Sequence, residues 1–171
     1  LNQQNGAYTI AIAGDTSIKA ISSDNLTVTT IHEENAPLWA VTLWEAPDNA
    51  VMLACGGIEG RLTVYRRAEA NWVLQNSQVM DAPIQILRHA SFSKTEPRYR
   101  DCLAVSLIQG LRNNVLRTFA YGDDGLTPLF QIKPPFRGPI TGVTNCDVKR
   151  DGSDDIVLIG GIYAKIAMLY T

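Results

Sequence analysis

Along the chain, short runs of Val, Ile, Leu, Thr and Tyr alternate with clusters of Gly, Asn, Asp and Pro. No stretch sustains the 3.6-residue apolar period of an amphipathic helix. The pattern instead predicts strands over Tyr8–Ala13, Ser17–Ser22, Leu26–His32, Leu38–Trp44, Ala50–Cys55, Arg61–Arg66, Asn71–Val79, Ile84–Phe92, Asp101–Ile108, Asn114–Tyr121, Leu126–Ile132, Ile140–Cys146, Asp155–Ile159 and Lys165–Tyr170. Between them stand Gly14-Asp15, Asp24-Asn25, Pro47-Asp48-Asn49, Gly60, Asp123-Asp124-Gly125 and Asp151-Gly152. Each of these turns supplies a positive φ or a side-chain cap.

The strands repeat. A small residue, a proline and an aliphatic residue lead into a strand three times, at Ala36-Pro37-Leu38, Ala82-Pro83-Ile84 and Gly138-Pro139-Ile140. The prolines stand 46 and 56 residues apart, and the longer interval holds a polar insert, Ser93–Arg100. These spacings suit a four-stranded propeller blade of about 40–50 residues. Proline has no N–H to give to a ladder, so it fits the crossover into a new blade. Near-continuous apolar runs follow at Val51–Gly57, Cys102–Ser106 and Ile156–Gly161, as expected of strands covered on both faces.

The expected fold is therefore all-β: blades of four antiparallel strands, about four of them, at residues 1–35, 36–81, 82–137 and 138–171. Together they are read as part of one propeller. The first blade is expected to lack its innermost strand and the last its outermost, with remaining blades supplied by the same chain or a partner. A β-sandwich is the competing architecture, since short strands suit it too.

Composition narrows the function. The chain has 171 residues, 46% hydrophobic and 19% charged, with a net charge of −2. No global field draws it to nucleic acid or anionic lipid. No apolar run is long enough for membrane insertion. The opening Leu1–Gly6 is polar, unlike a signal peptide, although a chain without an initial Met leaves room for a removed leader. Three cysteines, Cys55, Cys102 and Cys146, show no C-x-x-C spacing. They read as buried free thiols, which favour a reducing, cytoplasmic compartment.

The sharpest local motif runs from Asp147 to Val157, with carboxylates at Asp147, Asp151 and Asp155 and the turn glycine at Gly152. That is the pattern of a calcium loop, in which several oxygens converge on a hard cation. Lys149 stands where another oxygen ligand belongs, so calcium is not expected to be held, and Asp147 and Asp155 would cap the turn instead. No other cofactor is expected.

This motif, followed by aliphatic residues, resembles the FG-GAP repeat of integrin-type propellers, which implies a calcium-stabilised, ligand-binding propeller as an alternative function. The string from Gly138-Pro139-Ile140-Thr141-Gly142-Val143 through Tyr170 is similar to degenerate repeats in kaptin-type and Bardet–Biedl (BBSome) propeller subunits. The kaptin-like resemblance extends back to Leu38, through Trp39–Trp44, Leu53–Gly57, Val73-Leu74-Gln75, Asp81–Ile84 and the insert after Phe92. It implies a non-catalytic propeller subunit of an intracellular, lysosome-associated scaffold that restrains TOR signalling, with a link to actin. A WD-repeat propeller is the nearest alternative. His32, Leu38–Val41 and Leu53–Tyr65 resemble one such blade, but no Trp-Asp dipeptide is present.

Catalysis finds little support. His32 and His89 fall in separate blades, and no G-x-S-x-G, phosphate-binding glycine loop or H-E-x-x-H motif is present. The remaining enzyme reading needs polar groups gathered at a central channel from several blades. Binding of other protein subunits is the better use of the residues. Trp39 and Trp44, five apart, are expected on opposite faces of one strand. Trp72 opens an outer strand, and Lys94, Arg98, Tyr99, Arg100 and Arg112 form a partly basic rim on the third blade. Loops held out by rigid strands are natural contact elements.

Overall fold

The computed structural model describes residues 2–4, 7–23, 25–69, 71–93, 95–96, 99–110, 114–135, 138–161 and 165–169. Among these residues there is no α-helix, and no helix long and apolar enough to cross a membrane. The chain divides into two compact units, Leu1–Ile84 and Gln85–Thr171.

Unit 1 holds two sheets. In the first, β1 (Asn2–Gln4), β2 (Ala7–Gly14), β3 (Ser17–Ser22) and β4 (Val28–Glu33) lie in sequence order. In the second, β5 (Leu38–Glu45), β6 (Val51–Gly57), β7 (Arg61–Ala68) and β8 (Asn71–Val79) do the same. Unit 2 carries β9 (Ile84–Ala90, whose first residue ends unit 1), β10 (Cys102–Ile108), β11 (Asn114–Gly122) and β12 (Gly125–Ile132) as a third sheet. The fourth sheet has three strands among the described residues, β13 (Ile140–Cys146), β14 (Asp155–Gly160) and β15 (Lys165–Leu169). Neighbouring strands in all four sheets are consecutive in sequence, and the registers described for every neighbouring pair other than β9–β10 are antiparallel, as in an up-and-down meander.

One expectation is corrected at the start of the chain. The first sheet does not lack a strand, because β1 pairs with β2 through Asn2↔Thr9, Gln3↔Tyr8 and Gln4↔Ala7. A three-residue Asn-Gln-Gln strand shows no apolar alternation in the sequence. The strand expected from Leu26 begins at Val28 instead. Leu26 has φ 55° and belongs to the preceding turn, where Asn25 Oδ1 accepts the Thr27 N–H at 3.0 Å.

The second strands are the most buried. Every residue of β6 is buried, and so are the first six of β10. Within unit 1, Ile18 of the first sheet packs with Leu38, Leu53, Cys55 and Tyr65 of the second. Within unit 2, Ala90, Cys102, Ala104 and Leu116 of the third sheet pack with Ile140, Val143, Ile156 and Leu158 of the fourth. A fully buried Leu or Ile contributes roughly 1.5–3 kcal/mol relative to exposure. Sheet-on-sheet burial of this kind is the main stabilising term of each unit.

The proline repeat has a shared geometry. The Pro37 carbonyl accepts the Ile58 N–H at 3.0 Å, and the Pro139 carbonyl accepts the Gly161 N–H at 2.9 Å. Both following strands carry a bulge at the same place, with the register shifting between Leu38 and Ala40 and between Ile140 and Gly142. Trp39 and Thr141 are the extra residues. Trp44 is buried and Trp39 44% exposed, and the bulge at Trp39 interrupts the alternation from which opposite faces were expected.

Candidate interaction surface

The loop between β13 and β14 is a set of carboxylate caps. Asp147 Oδ1 accepts the Asp151 N–H at 3.0 Å and Oδ2 accepts the Gly152 N–H at 2.8 Å. Arg150 (φ 59°) and Gly152 (φ 86°) supply the two left-handed residues that wrap the turn around that carboxylate. The Ser153 hydroxyl and the Ser153 N–H (2.9 Å) both donate to Asp151 Oδ1. These bonds, with Lys149 nearby, hold the Asp151 carboxyl below the usual carboxylate range. Asp155 is 1% exposed, accepts the Val148 N–H at 3.2 Å and lies 3.6 Å from the Lys149 ammonium.

These residues do not fit calcium. Both oxygens of Asp147 are turned onto backbone donors, and a lysine occupies the approach to Asp155. Among the described residues, no group of three or more His, Cys, Asp or Glu side chains is arranged to hold a metal ion.

The β9–β10 connection that carries the polar insert is tied to this loop just before the insert begins. Asp154 Oδ2 accepts the Ser91 N–H at 2.7 Å, and the Asp154 N–H donates to the Ser91 carbonyl at 2.7 Å. The insert then closes on itself. The Tyr99 carbonyl accepts the N–H groups of Phe92 (2.8 Å) and Ser93 (3.3 Å), and the Tyr99 N–H donates to Glu96 O at 3.0 Å. Ser93 Oγ accepts the Thr95 and Glu96 N–H groups at 3.3 and 3.2 Å. Tyr99 packs against the core of unit 2, so it anchors the loop rather than reaching outward. Arg100 is exposed, as are Thr95, Glu96 and the run Asp147–Asp151. The two loops together make a stitched platform with charges of both signs.

Further bonds brace it. Arg88 Nε donates to the Val143 carbonyl at 3.0 Å, and His89 Nε2 lies 3.1 Å from Asp101 Oδ1. Of the other expected contact residues, Lys94, Arg98 and Arg112 lie outside the described residues. Trp72 belongs to unit 1, where it packs half-buried against the core cluster. Sequence reading passed over Asp154 and Ser91, which are 63 positions apart and carry no motif of their own. The Asp154→Ala substitution should leave the Ser91 N–H without its acceptor. It should lower stability by about 1–3 kcal/mol, checked by urea melting, and a wild-type midpoint would show that the staple carries no weight.

In unit 1, His32 is held rather than poised. The Tyr65 hydroxyl donates to His32 Nδ1 at 2.5 Å, His32 Nε2–H donates to Glu34 Oε1 at 2.9 Å, and Arg61 Nε lies 3.7 Å from the same oxygen. This pattern sets the tautomer and links β4 to β7, a structural task.

One thiol departs from expectation. Cys55 and Cys102 are buried, but Cys146 is exposed, because it ends β13 where the ladder opens into the loop.

No family model matches the chain, and no curated protein matches it. Solved structures do. A crystal structure of BBS1N in complex with ARL6DN, soaked with mercury, is 17% identical with a TM-score of 0.69, over 100% of this chain and 49% of that one. The lead-soaked form of the same complex gives 16% and 0.68, over 100% and 45%. An Aleuria aurantia lectin mutant in complex with alpha-methyl-L-fucoside gives 13% and 0.56, over 95% and 50%. This chain thus spans about half the length of the structures it matches. The likeness defines the fold, and the chain is an all-β protein built of β-propeller blades.

Proposed function

We propose that the chain is a non-catalytic, protein-binding propeller subunit of a multiprotein assembly. The observation that carries this reading is the platform of unit 2, where two charged loops are locked together by the reciprocal Ser91–Asp154 bonds. A surface fixed before binding loses little entropy on contact. The likeness to BBS1N, solved in complex with ARL6DN, supports a protein-contacting role for a propeller of this shape. The more specific proposal is a kaptin-like subunit of a cytoplasmic, lysosome-surface scaffold that regulates TOR signalling. A BBSome-type adaptor is the alternative within the same class.

The test is affinity purification of the protein from its own cells, with mass spectrometry of what accompanies it. Large scaffold subunits should appear in stoichiometric amounts. The double substitution Arg100→Glu, Arg150→Asp should reduce them by about tenfold, the size of one or two lost charged contacts, at an unchanged melting temperature. Asp is chosen because it tolerates the left-handed backbone at position 150. A protein that comes down alone would overturn the assembly reading, and subunits unaffected by the double variant would move the contact elsewhere.

A further inference from the structure

We infer that the outer edge of β8 is a self-association seam, along which two copies of this chain pair antiparallel, β8 against β8. This stands apart from the platform of unit 2 and does not rest on the reading above.

β8 is the terminal strand of its sheet, ordered β5-β6-β7-β8, so one side of its backbone has no partner strand among the described residues. Such a row of N–H and C=O groups is a template for another strand. Proteins usually blunt these edges with charge, proline, a bulge or short length. The outer strand of the third sheet, β12, contains Pro128, and that of the first, β4, has six residues and ends on Glu33. β8 has the bulge alone, at Gln75, and none of the other devices. It is nine residues long, and from Asn71 to Met80 it has no charged side chain and no proline. Val73, Leu74 and Val79 are 44%, 54% and 61% exposed.

Water satisfies this exposed edge in a single copy; an extended chain can replace it, and the missing charge points to a second copy as that chain. Antiparallel self-pairing about a two-fold axis sets the segment opposite itself, so a charge near the axis would meet its own like. The segment Asn71–Val79 can meet itself without repulsion. A register centred on Leu74 sets that leucine against its symmetry mate, with Val73 opposite Gln75 and Trp72 opposite Asn76. One feature must yield. The register shift between Val64 and Tyr65 leaves Gln75 unopposed on β7, and its amide bonds the Val73 and Leu74 carbonyls of its own strand at 3.3 and 3.4 Å. These bonds are long and exposed, weak enough to give way to a ladder. A nine-residue seam buries less than the roughly 1,600 Å² of a standard interface. The dimer should therefore be weak and visible only at high concentration.

The experiment is sedimentation velocity of the full chain from low to several hundred micromolar, wild type beside Leu74→Lys and Leu74→Val. The wild type should pass from monomer to dimer. Leu74→Lys should weaken the dimer by about tenfold or more, since it sets two ammonium groups face to face. Leu74→Val should keep it, and all three should melt alike because the side chain is exposed. A wild type that stays monomeric would overturn the proposal, as would association that Leu74→Lys leaves intact or that both substitutions weaken equally.

Discussion

Gly57→Ala is expected to destabilise unit 1 by more than about 4 kcal/mol, enough to unfold it under conditions where the wild type is native. Gly57 ends β6 and is buried. A Cβ there would lie 2.0 Å from the Pro37 carbonyl oxygen and 2.8 Å from Leu38 Cα. These are backbone atoms, so no rotamer change relieves the clash. The Pro37 carbonyl is also fixed, since it accepts the Ile58 N–H at 3.0 Å while the next residue donates to Asp15 O at 2.7 Å. Relief means prising β5 from β6 at the bulge and losing those bonds. Gly14→Ala is the control. Nothing lies within 4 Å of its added Cβ, and there a modest gain from reduced unfolded-state entropy is expected. Urea melts of the two variants check the pair. A Gly57→Ala protein that melts like wild type would show that β5 and β6 do not approach so closely.

Raising the pH should remove stability from both units at once. Burial, with the Glu34 charge adding to it, pushes the Cys55 thiol up from 9.0 to about 12. Burial and the Asp101 charge push Cys102 up to about 12, against a smaller opposing pull from the Phe92 amide. Both folded pKa values lie above the unfolded ones. The contribution of the neutral thiols is therefore complete below pH 9 and is lost as the pH climbs toward 12, because the unfolded chain gives up its protons first. The slope is about 1.4 kcal/mol per pH unit per thiol, so each unit should lose on the order of 2–3 kcal/mol by pH 11. Burial shifts Tyr65 in the same direction, as do the charges of Cys55 and Glu34, so it should steepen the loss in unit 1 above pH 10. Urea melts at pH 8 and pH 11 test this. The Cys55→Ala, Cys102→Ala protein should lose less between the two than wild type does, and an equal loss would clear the thiols of responsibility.

What was legible in the sequence was local or periodic. Pro37, Pro83 and Pro139 marked the starts of sheets because a residue with no N–H and an aliphatic follower suit a crossover. The runs through Leu53, Val105 and Leu158 marked second strands because burial on both faces suppresses alternation. The turn around Asp147 and Gly152 was readable because its chemistry lies within a few residues. The rest depended on partners distant in sequence. β1 is polar, and its pairing with β2 leaves no mark in its own residues. The bulge at Trp39 needs the facing Gly56 and Gly57 to be seen at all. Cys146 faces water because its strand ends there, though its neighbours looked like a core run. The platform was half legible: the insert was visible as polar residues, but its attachment through Ser91 and Asp154 was not, since hydrogen bonds between loops leave no pattern along the chain.

The joint between the Pro37 carbonyl and the Ile58 amide, and its twin between Pro139 and Gly161, is written entirely in main-chain atoms. Such a joint asks only that a few positions stay small or lack an N–H, and it is indifferent to most side chains around it. The side chains around such a joint can therefore differ widely without disturbing the joint itself. A structure 17% identical to this chain has the same fold.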